Sequence, residues 1–317
     1  MLIRTSLKYE YGSIQLEKLD TYKNVVNIDN VDYFLGYLNP DIKGNKGANS
    51  YVFTLTASQD DSEYNSDRPQ KVIKISRRSD NYNGQKISRH QKNERFYREM
   101  FALLLCKKHK MNNIVKIETR GHIVCKNNYF PFYIMDYASN DLKNFLENND
   151  IDNNERINLC LQVAQGIKEL REIGFYHRDI KPDNILIFEN KWKIGDLGLV
   201  TFRDKDYDDK NEFIGPRGWI SPEAMNKYLC NDKNIDNFDC KIDHQSDIFQ
   251  LGKLFWYILQ GNAPIGCVEK KDYYGPDIEE IFSLLKSMLS HSKELRPKLV
   301  DDVIEYLENI KNTYHII

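Results

Sequence analysis

Tyr176-His177-Arg178-Asp179-Ile180-Lys181-Pro182-Asp183-Asn184 runs directly into the apolar segment Ile185-Leu186-Ile187, and twelve residues past Asn184 comes Asp196-Leu197-Gly198. Taken alone, the nine-residue polar stretch reads as a charged turn between two strands. The combination says more. A carboxylate at 179 can take a proton from a hydroxyl, and an ammonium two residues on can steady a moving anionic group. An amide oxygen at 184 and a second carboxylate at 196 are hard-oxygen ligands of the kind Mg²⁺ takes.

Around this centre the chain falls into two halves of different character. From Val31 to Ile75 the pattern is β-like, with Ser50–Thr56 alternating and Lys71–Ile75 a second short strand. The Asp-, Ser- and Asn-rich run Ala57–Pro69 between them reads as a solvated loop. A helix is expected over Arg89–Lys108, with Phe96, Glu99, Met100 and Leu103 at helical spacing, and strands at Ile114–Ile117 and Phe132–Tyr137. After Asp141 helices dominate. Glu155–Ile173 repeats its apolar residues near period 3.6 and stops at Gly174. Further helices are expected at Ser246–Gln260, Asp277–Ser290 and Leu299–Asn312. Residues 1–32 carry no clear period, and no internal repeat is present.

The central motifs resemble the catalytic loop H-R-D-x-K-x-x-N and the metal-binding D-F-G of the protein kinase family. Phosphoryl transfer asks mainly for positioning and charge neutralisation, which these residue types supply. The resemblance implies Asp179 as the base, Lys181 beside it, and Asn184 with Asp196 as metal ligands. It also makes demands elsewhere. Asn45-Lys46-Gly47-Ala48-Asn49-Ser50-Tyr51-Val52 stands where a glycine-rich loop belongs, keeping only Gly47 and Val52 of that motif. Lys74, at the end of Lys71-Val72-Ile73-Lys74, matches the lysine that holds the α- and β-phosphates. Its partner glutamate is either Glu94 or Glu99. Glu99 shares the apolar helix face with Phe96 and Leu103, whereas Glu94 lies about 140° away at roughly 100° per residue, so Glu99 is chosen. Tyr133–Ala138 resembles the hinge, with Met135 as gatekeeper, Asp136 and Ala138 facing the adenine through their backbone, and Asp141 placed for the ribose. Downstream, Ile220-Ser221-Pro222-Glu223, the segment around Asp247 and the Arg of Leu295-Arg296-Pro297 resemble the family's structural braces. Glu223, Asp247 and Arg296 are read as structural.

The resemblance implies an α+β, bilobal kinase fold: a small antiparallel sheet of five strands with one helix, then a larger, mainly helical lobe. The expected organisation is an N-terminal extension over 1–32, a kinase domain over 33–310 with its hinge at 136–141, and a tail over 311–317. It implies ATP and Mg²⁺ (or Mn²⁺) as cofactors and a protein as substrate. Lys181 fits the Ser/Thr class. Pro216 and Trp219 resemble the tyrosine-kinase version of their loop, so a dual-specificity or tyrosine acceptor is the alternative. A pseudokinase acting as a scaffold or ATP-binding module is the second alternative, favoured by the thinned glycine loop and opposed by the intact Lys74, Asp179, Asn184 and Asp196. A small-molecule phosphotransferase is the third, opposed by the Ser221-Pro222-Glu223 brace. In many family members the arginine before the catalytic Asp grips an activation-loop phosphate. Here Asp204, Asp206, Asp208 and Asp209 crowd that loop, so one of them is a candidate partner for Arg178.

Composition sets the outer limits. The sequence has 317 residues, with Lys+Arg 45 against Asp+Glu 47 and a net charge of −2. Such a balance argues against a nucleic-acid binder, and 12% aromatic residues argue against a disordered chain. The cysteines at 106, 125, 160, 230, 240 and 267 form no C-x-x-C pair, which suggests reduced thiols. Cys230, Cys240 and His244 match no common zinc spacing and read as part of a polar insertion. No membrane segment is expected, because the longest apolar run, Leu251–Leu259, is too short to span a bilayer. The expected location is cytoplasmic, a secreted effector acting in a host cytosol being the alternative.

Overall fold

The computed structural model describes residues 1–10, 12–17, 21–38, 49–57, 70–208, 212–230 and 238–314. The chain divides into two compact units, Met1–Leu104 with Lys116–Tyr137, and Leu105–Val115 with Ala138–Ile317. The boundary after Tyr137 falls inside the segment read as a hinge.

The first unit is built on a seven-stranded sheet of β1 (Leu2–Arg4), β2 (Val25–Ile28), β3 (Val31–Tyr37), β4 (Ser50–Ala57), β5 (Lys71–Ser76), β6 (Ile117–Cys125) and β7 (Asn128–Asp136), in the order β1-β6-β7-β5-β4-β3-β2. All neighbours are antiparallel except β1 and β6. Side chains alternate between faces along a strand. Tyr51, Phe53 and Leu55 of β4, Ile73 and Ile75 of β5, and Phe130, Phe132 and Ile134 of β7 share one face and one buried cluster. Lys74 lies on the opposite face, in register with Val52 on one side and Tyr133 on the other.

The structure differs from the five-strand expectation because residues before 33 supply both outer strands. Ile3, Leu7, Ile14, Leu16, Val26 and Ile28 join the same apolar cluster. The Met1 backbone passes so close to β6 that a Cβ on Gly121 would lie 2.0 Å from the Met1 carbonyl oxygen. Only glycine permits that approach. The expected strand over Ile114–Ile117 is also corrected. Ile114 makes only an isolated bridge with Ile194, and the strand proper begins at Ile117. It turns into β7 through Lys126 and Asn127, both with positive φ (46° and 63°), the two-residue hairpin geometry that matches strand twist. The loop read over Ala57–Pro69 lies outside the described residues save for Ala57, which ends β4.

Helix α1 spans Glu94–Lys108. It starts later than Arg89 because the chain first makes a tight turn over Gln91–Asn93, capped by the His90 side chain accepting from the Lys92 N–H. The second unit holds α2 (Leu142–Asn148), α3 (Asn153–Glu172), α4 (Pro222–Leu229), α5 (His244–Gln260), α6 (Glu279–Met288) and α7 (Val300–Thr313), with a hairpin of β8 (Ile185–Phe188) and β9 (Lys191–Ile194). An Asp152–Glu155 capping box opens α3, and Gly174 follows its end at φ 83°. Helix α5 is apolar nearly all round and is buried along its length, from Ile248 through Leu251, Leu254 and Phe255 to Ile258, which is what such a helix must be. Its N-terminus is where the catalytic-loop motif is anchored. Among the described residues no helix is long and apolar enough to cross a membrane.

Candidate active site

The motif loop is held from below by α5. The buried Asp247 carboxylate accepts the backbone N–H of His177 through Oδ2 and of Arg178 through Oδ1, both at 2.8 Å. One turn on, Gln250 accepts the Ile180 N–H at 2.9 Å and donates to the Arg178 carbonyl at 3.1 Å. These four bonds fix a strained backbone, with Arg178 at φ 68°, a region that costs energy for a residue with a side chain. His177 is fully enclosed, and burial holds its imidazole below the usual range. Its Nδ1 accepts the Asp179 N–H at 3.1 Å, so Nε2 carries the proton and faces the Gly195 carbonyl at 3.2 Å. His177 is a brace.

Asp179 is the convergence point. Its Oδ2 accepts from Lys181 Nζ at 3.2 Å and from Asn184 Nδ2 at 2.8 Å, and Asn184 Nδ2 also bonds the Asp179 carbonyl at 2.8 Å. Burial pushes the Asp179 carboxyl above the ordinary range. The Lys181 charge works against this, and the Asp196 charge adds to it. Asp179 Oδ1 has no hydrogen-bond partner among the described residues. Asn184 spends its donor on Asp179, which leaves its own Oδ1 as an acceptor. Asp196 is exposed and adopts φ 48°. A Cβ on Gly198 would stand 3.2 Å from Asp196 Oδ1, crowding that carboxylate. The oxygens of Asn184 and Asp196 are the hard donors that suit Mg²⁺.

In the first unit Lys74 Nζ lies 2.7 Å from Glu99 Oε1, with both side chains buried. The register explains a further partner. Tyr133 stands beside Lys74 across the sheet, and its hydroxyl donates to the same Glu99 oxygen at 2.9 Å. Glu94 opens α1. Val52 faces Lys74 across β4 and β5. Met135 and Asp136 end β7 opposite Val72 and Lys71, and Ala138 follows in the second unit. Asp141 caps α2, its Oδ1 accepting the Asn144 N–H at 2.8 Å. Gly47 lies outside the described residues.

The segment after Asp196 carries partners that the sequence did not single out. Arg178 donates to both carboxylate oxygens of Asp208, at 2.6 and 3.0 Å, and through Nε to the Leu199 carbonyl at 2.7 Å. Lys227 of α4 reaches Asp208 at 3.2 Å and Asp206 at 2.7 Å. Burial opposes ionisation of Asp208, but the Arg178 and Lys227 cations outweigh it and hold the carboxyl below its ordinary value. Farther on, Glu223 and Arg296 form a buried ion pair at 2.7 Å. Ser246 donates to the other Glu223 oxygen at 3.0 Å, and Arg296 also donates to the carbonyls of Gln245, Ser290 and His291.

Burial pushes the Cys240 thiol up, and the neighbouring Cys230 thiol adds to that. His244 faces the Lys298 carbonyl instead. No group of three or more metal-ligating side chains forms among the described residues. Burial pushes the thiols of Cys106 and Cys125 up to about 12.

Comparison with known proteins agrees with this arrangement. The family model for the protein kinase domain matches residues 59–313. Similar proteins include fibroblast growth factor receptor 1 of Dugesia japonica, 30% identical over 177 residues, 49% of this chain and 19% of that protein. Serine/threonine-protein kinase KSP1 of Saccharomyces cerevisiae is 28% identical over 183 residues, 55% of this chain and 17% of that protein. Serine/threonine-protein kinase cds1 of Schizosaccharomyces pombe is 32% identical over 146 residues, 45% of this chain and 30% of that protein. The matched region thus covers less than a third of each of these relatives. With the motif loop braced on α5, the Lys74–Glu99 pair in the first unit and a family model spanning most of the sequence, the chain belongs to the protein kinase family.

Proposed function

We propose that this protein transfers the γ-phosphoryl group of ATP, with Mg²⁺ (or Mn²⁺), to a Ser or Thr hydroxyl of a protein substrate, and that Asp179 is the base. The observation that carries the reading is the state of the Asp179 carboxylate. One oxygen is clamped by Lys181 and Asn184, while the other is left to accept a hydrogen bond from an incoming hydroxyl. As the acceptor oxygen bonds to phosphorus and the bridging oxygen leaves with ADP, the hydroxyl proton passes to Asp179 Oδ1. Lys181 offsets negative charge beside that oxygen. Asn184 and Asp196 would hold the metal, which when bound supplies charge neutralisation at the phosphates. Lys74, oriented by Glu99, whose carboxylate Tyr133 also holds, serves the phosphates of ATP.

Lys181, two residues past the base, supports the Ser/Thr reading, as do the names of two of the similar proteins. Pro216 supports a tyrosine acceptor, since it has no side-chain hydroxyl for Asp179 or Lys181. Incubation with ATP and Mg²⁺, followed by mass spectrometry and phosphoamino-acid analysis, separates these. Phosphoserine or phosphothreonine is expected. Phosphotyrosine alone would refute the Ser/Thr assignment, and no incorporation on self or on a generic basic protein would refute the activity.

A further inference from the structure

Lys253 is buried in α5, only 9% exposed. Among the described residues it has neither a carboxylate partner nor a hydrogen-bond acceptor. Its Nζ lies over the Phe249 ring, one helical turn back, 6.0 Å from the centroid. Burial alone, with no countercharge, holds its ammonium below the ordinary lysine range. Compare Lys74, equally buried but matched by Glu99. An unmatched buried cation is costly, and a snorkelling lysine normally carries its head to water beside a partner.

The lysine lines an open cavity of about 590 Å³ within the second unit. Its lining is mixed: Met225, Phe249, Pro264 and Leu289 give it an apolar side, and Ser221, Asn226, His291 and Ser292 add polar groups. A cavity of this size, with an apolar side and a few polar groups around a buried ammonium, has the features of a small-molecule site. None of these residues belongs to the motif loop or to the Lys74 pair.

We propose that this cavity binds an amphipathic carboxylate, its carboxylate on Lys253 Nζ and its apolar body against Met225, Phe249, Pro264 and Leu289. A slender anionic head can reach a cation this enclosed, and the apolar side formed by Met225, Phe249, Pro264 and Leu289 favours an alkyl or aryl body over a wholly hydrophilic anion. Because Pro222 and Met225 belong to α4, whose Lys227 holds Asp206 and Asp208, an occupied cavity would brace the helix that steadies that segment.

The test is titration calorimetry on the full chain with decanoate, and with decanol and decyltrimethylammonium as neutral and cationic counterparts, each repeated with a saturating non-hydrolysable ATP analogue. Decanoate is expected to bind saturably, one per chain, with the ATP analogue bound or absent. Lys253→Met, which keeps the apolar volume, is expected to weaken decanoate at least tenfold, and Lys253→Arg to retain it. Decanol is expected to bind more weakly and to be indifferent to either variant. The free Lys253→Met protein is expected to melt no lower than wild type, so lost binding would not reflect lost folding. Equal decanoate affinity in wild type and Lys253→Met, displacement by the ATP analogue, or absence of saturable binding would overturn the assignment.

Discussion

Arg178 grips Asp208 through both terminal guanidinium nitrogens, in the fork-on-fork geometry that arginine makes with carboxylates. The side chains are 3% and 1% exposed, and Lys227 adds a second cation to the same carboxylate. The residue before the proposed base is thus tied to the segment beyond Asp196 by an acid encoded in the sequence.

The first prediction follows from that tie. Phosphatase-treated protein is expected to keep its phosphotransfer activity, because Asp208 already occupies Arg178. Asp208→Ala should lower kcat roughly tenfold or more, in line with breaking a buried charge pair. Steady-state kinetics on dephosphorylated protein are the check. The same pair gives a sign for stability. The folded Asp208 carboxyl titrates below its unfolded value, so its contribution is fully present above the unfolded value and is lost as pH falls through the folded one. Asp208→Asn should therefore flatten the loss of stability on acidification.

A second prediction concerns Lys74 and Glu99. Replacing Glu99 with Ala leaves a buried ammonium and the Tyr133 hydroxyl without their shared acceptor, and should cost about 3–5 kcal/mol. The double variant Lys74→Met/Glu99→Leu should be more stable than Glu99→Ala in urea unfolding, while losing turnover. A double variant less stable than the single one would contradict the account of the pair.

Much of the site was legible in the sequence, and for a chemical reason. The groups proposed to hold phosphates, metal and proton must be particular atoms in a particular order, so Lys74, Asp179, Asn184 and Asp196 stand out letter by letter. Asp208 did not, because Asp204, Asp206 and Asp209 are the same letter and only the path of the chain selects one. Gln250 was hidden similarly, since its work is done on backbone groups. The sheet was partly hidden. Strand β6 contains Glu118, Thr119, Arg120, Gly121 and His122, which break apolar alternation. Its turn is Lys126-Asn127, and the β2–β3 and β8–β9 turns are Asp29-Asn30 and Glu189-Asn190, all at positive φ. Asn tolerates that conformation, but none of these pairs contains the glycine usually taken as the hairpin signal. Strand β1 escaped because three residues pair with a segment more than a hundred residues away, and no local pattern records that.

A third prediction tests this N-terminal strand. Ile3 is 3% exposed and sits in the sheet cluster. Ile3→Ala should destabilise the protein by about 2–5 kcal/mol, as a buried large-to-small change. Gly121→Val should do likewise, by driving the Met1 backbone off the edge. If Ile3→Ala leaves the unfolding midpoint unchanged, the segment does not contribute to the core.

A fourth prediction comes from the raised Asp179 carboxyl. The base works only when ionised, so kcat/KM should fall as pH drops through a value above the ordinary aspartate figure of about 3.9. Lys181 is the strongest influence opposing that rise. Lys181→Met should therefore move the acid limb to still higher pH as well as lowering kcat. An acid limb that moves down would contradict the assignment.

The central claim is that Asp179 makes this chain a working phosphotransferase, and Asp179→Asn tests it most directly. The measurement pairs calorimetric binding of ATP with phosphoryl transfer to a generic basic protein, in wild type and variant. Wild type is expected to bind and transfer. The variant is expected to bind ATP with similar affinity and to lose transfer by about 10²–10⁴-fold, the usual scale of a lost general base. A wild type that binds ATP without transferring, or a variant that transfers as well as wild type, would contradict the account.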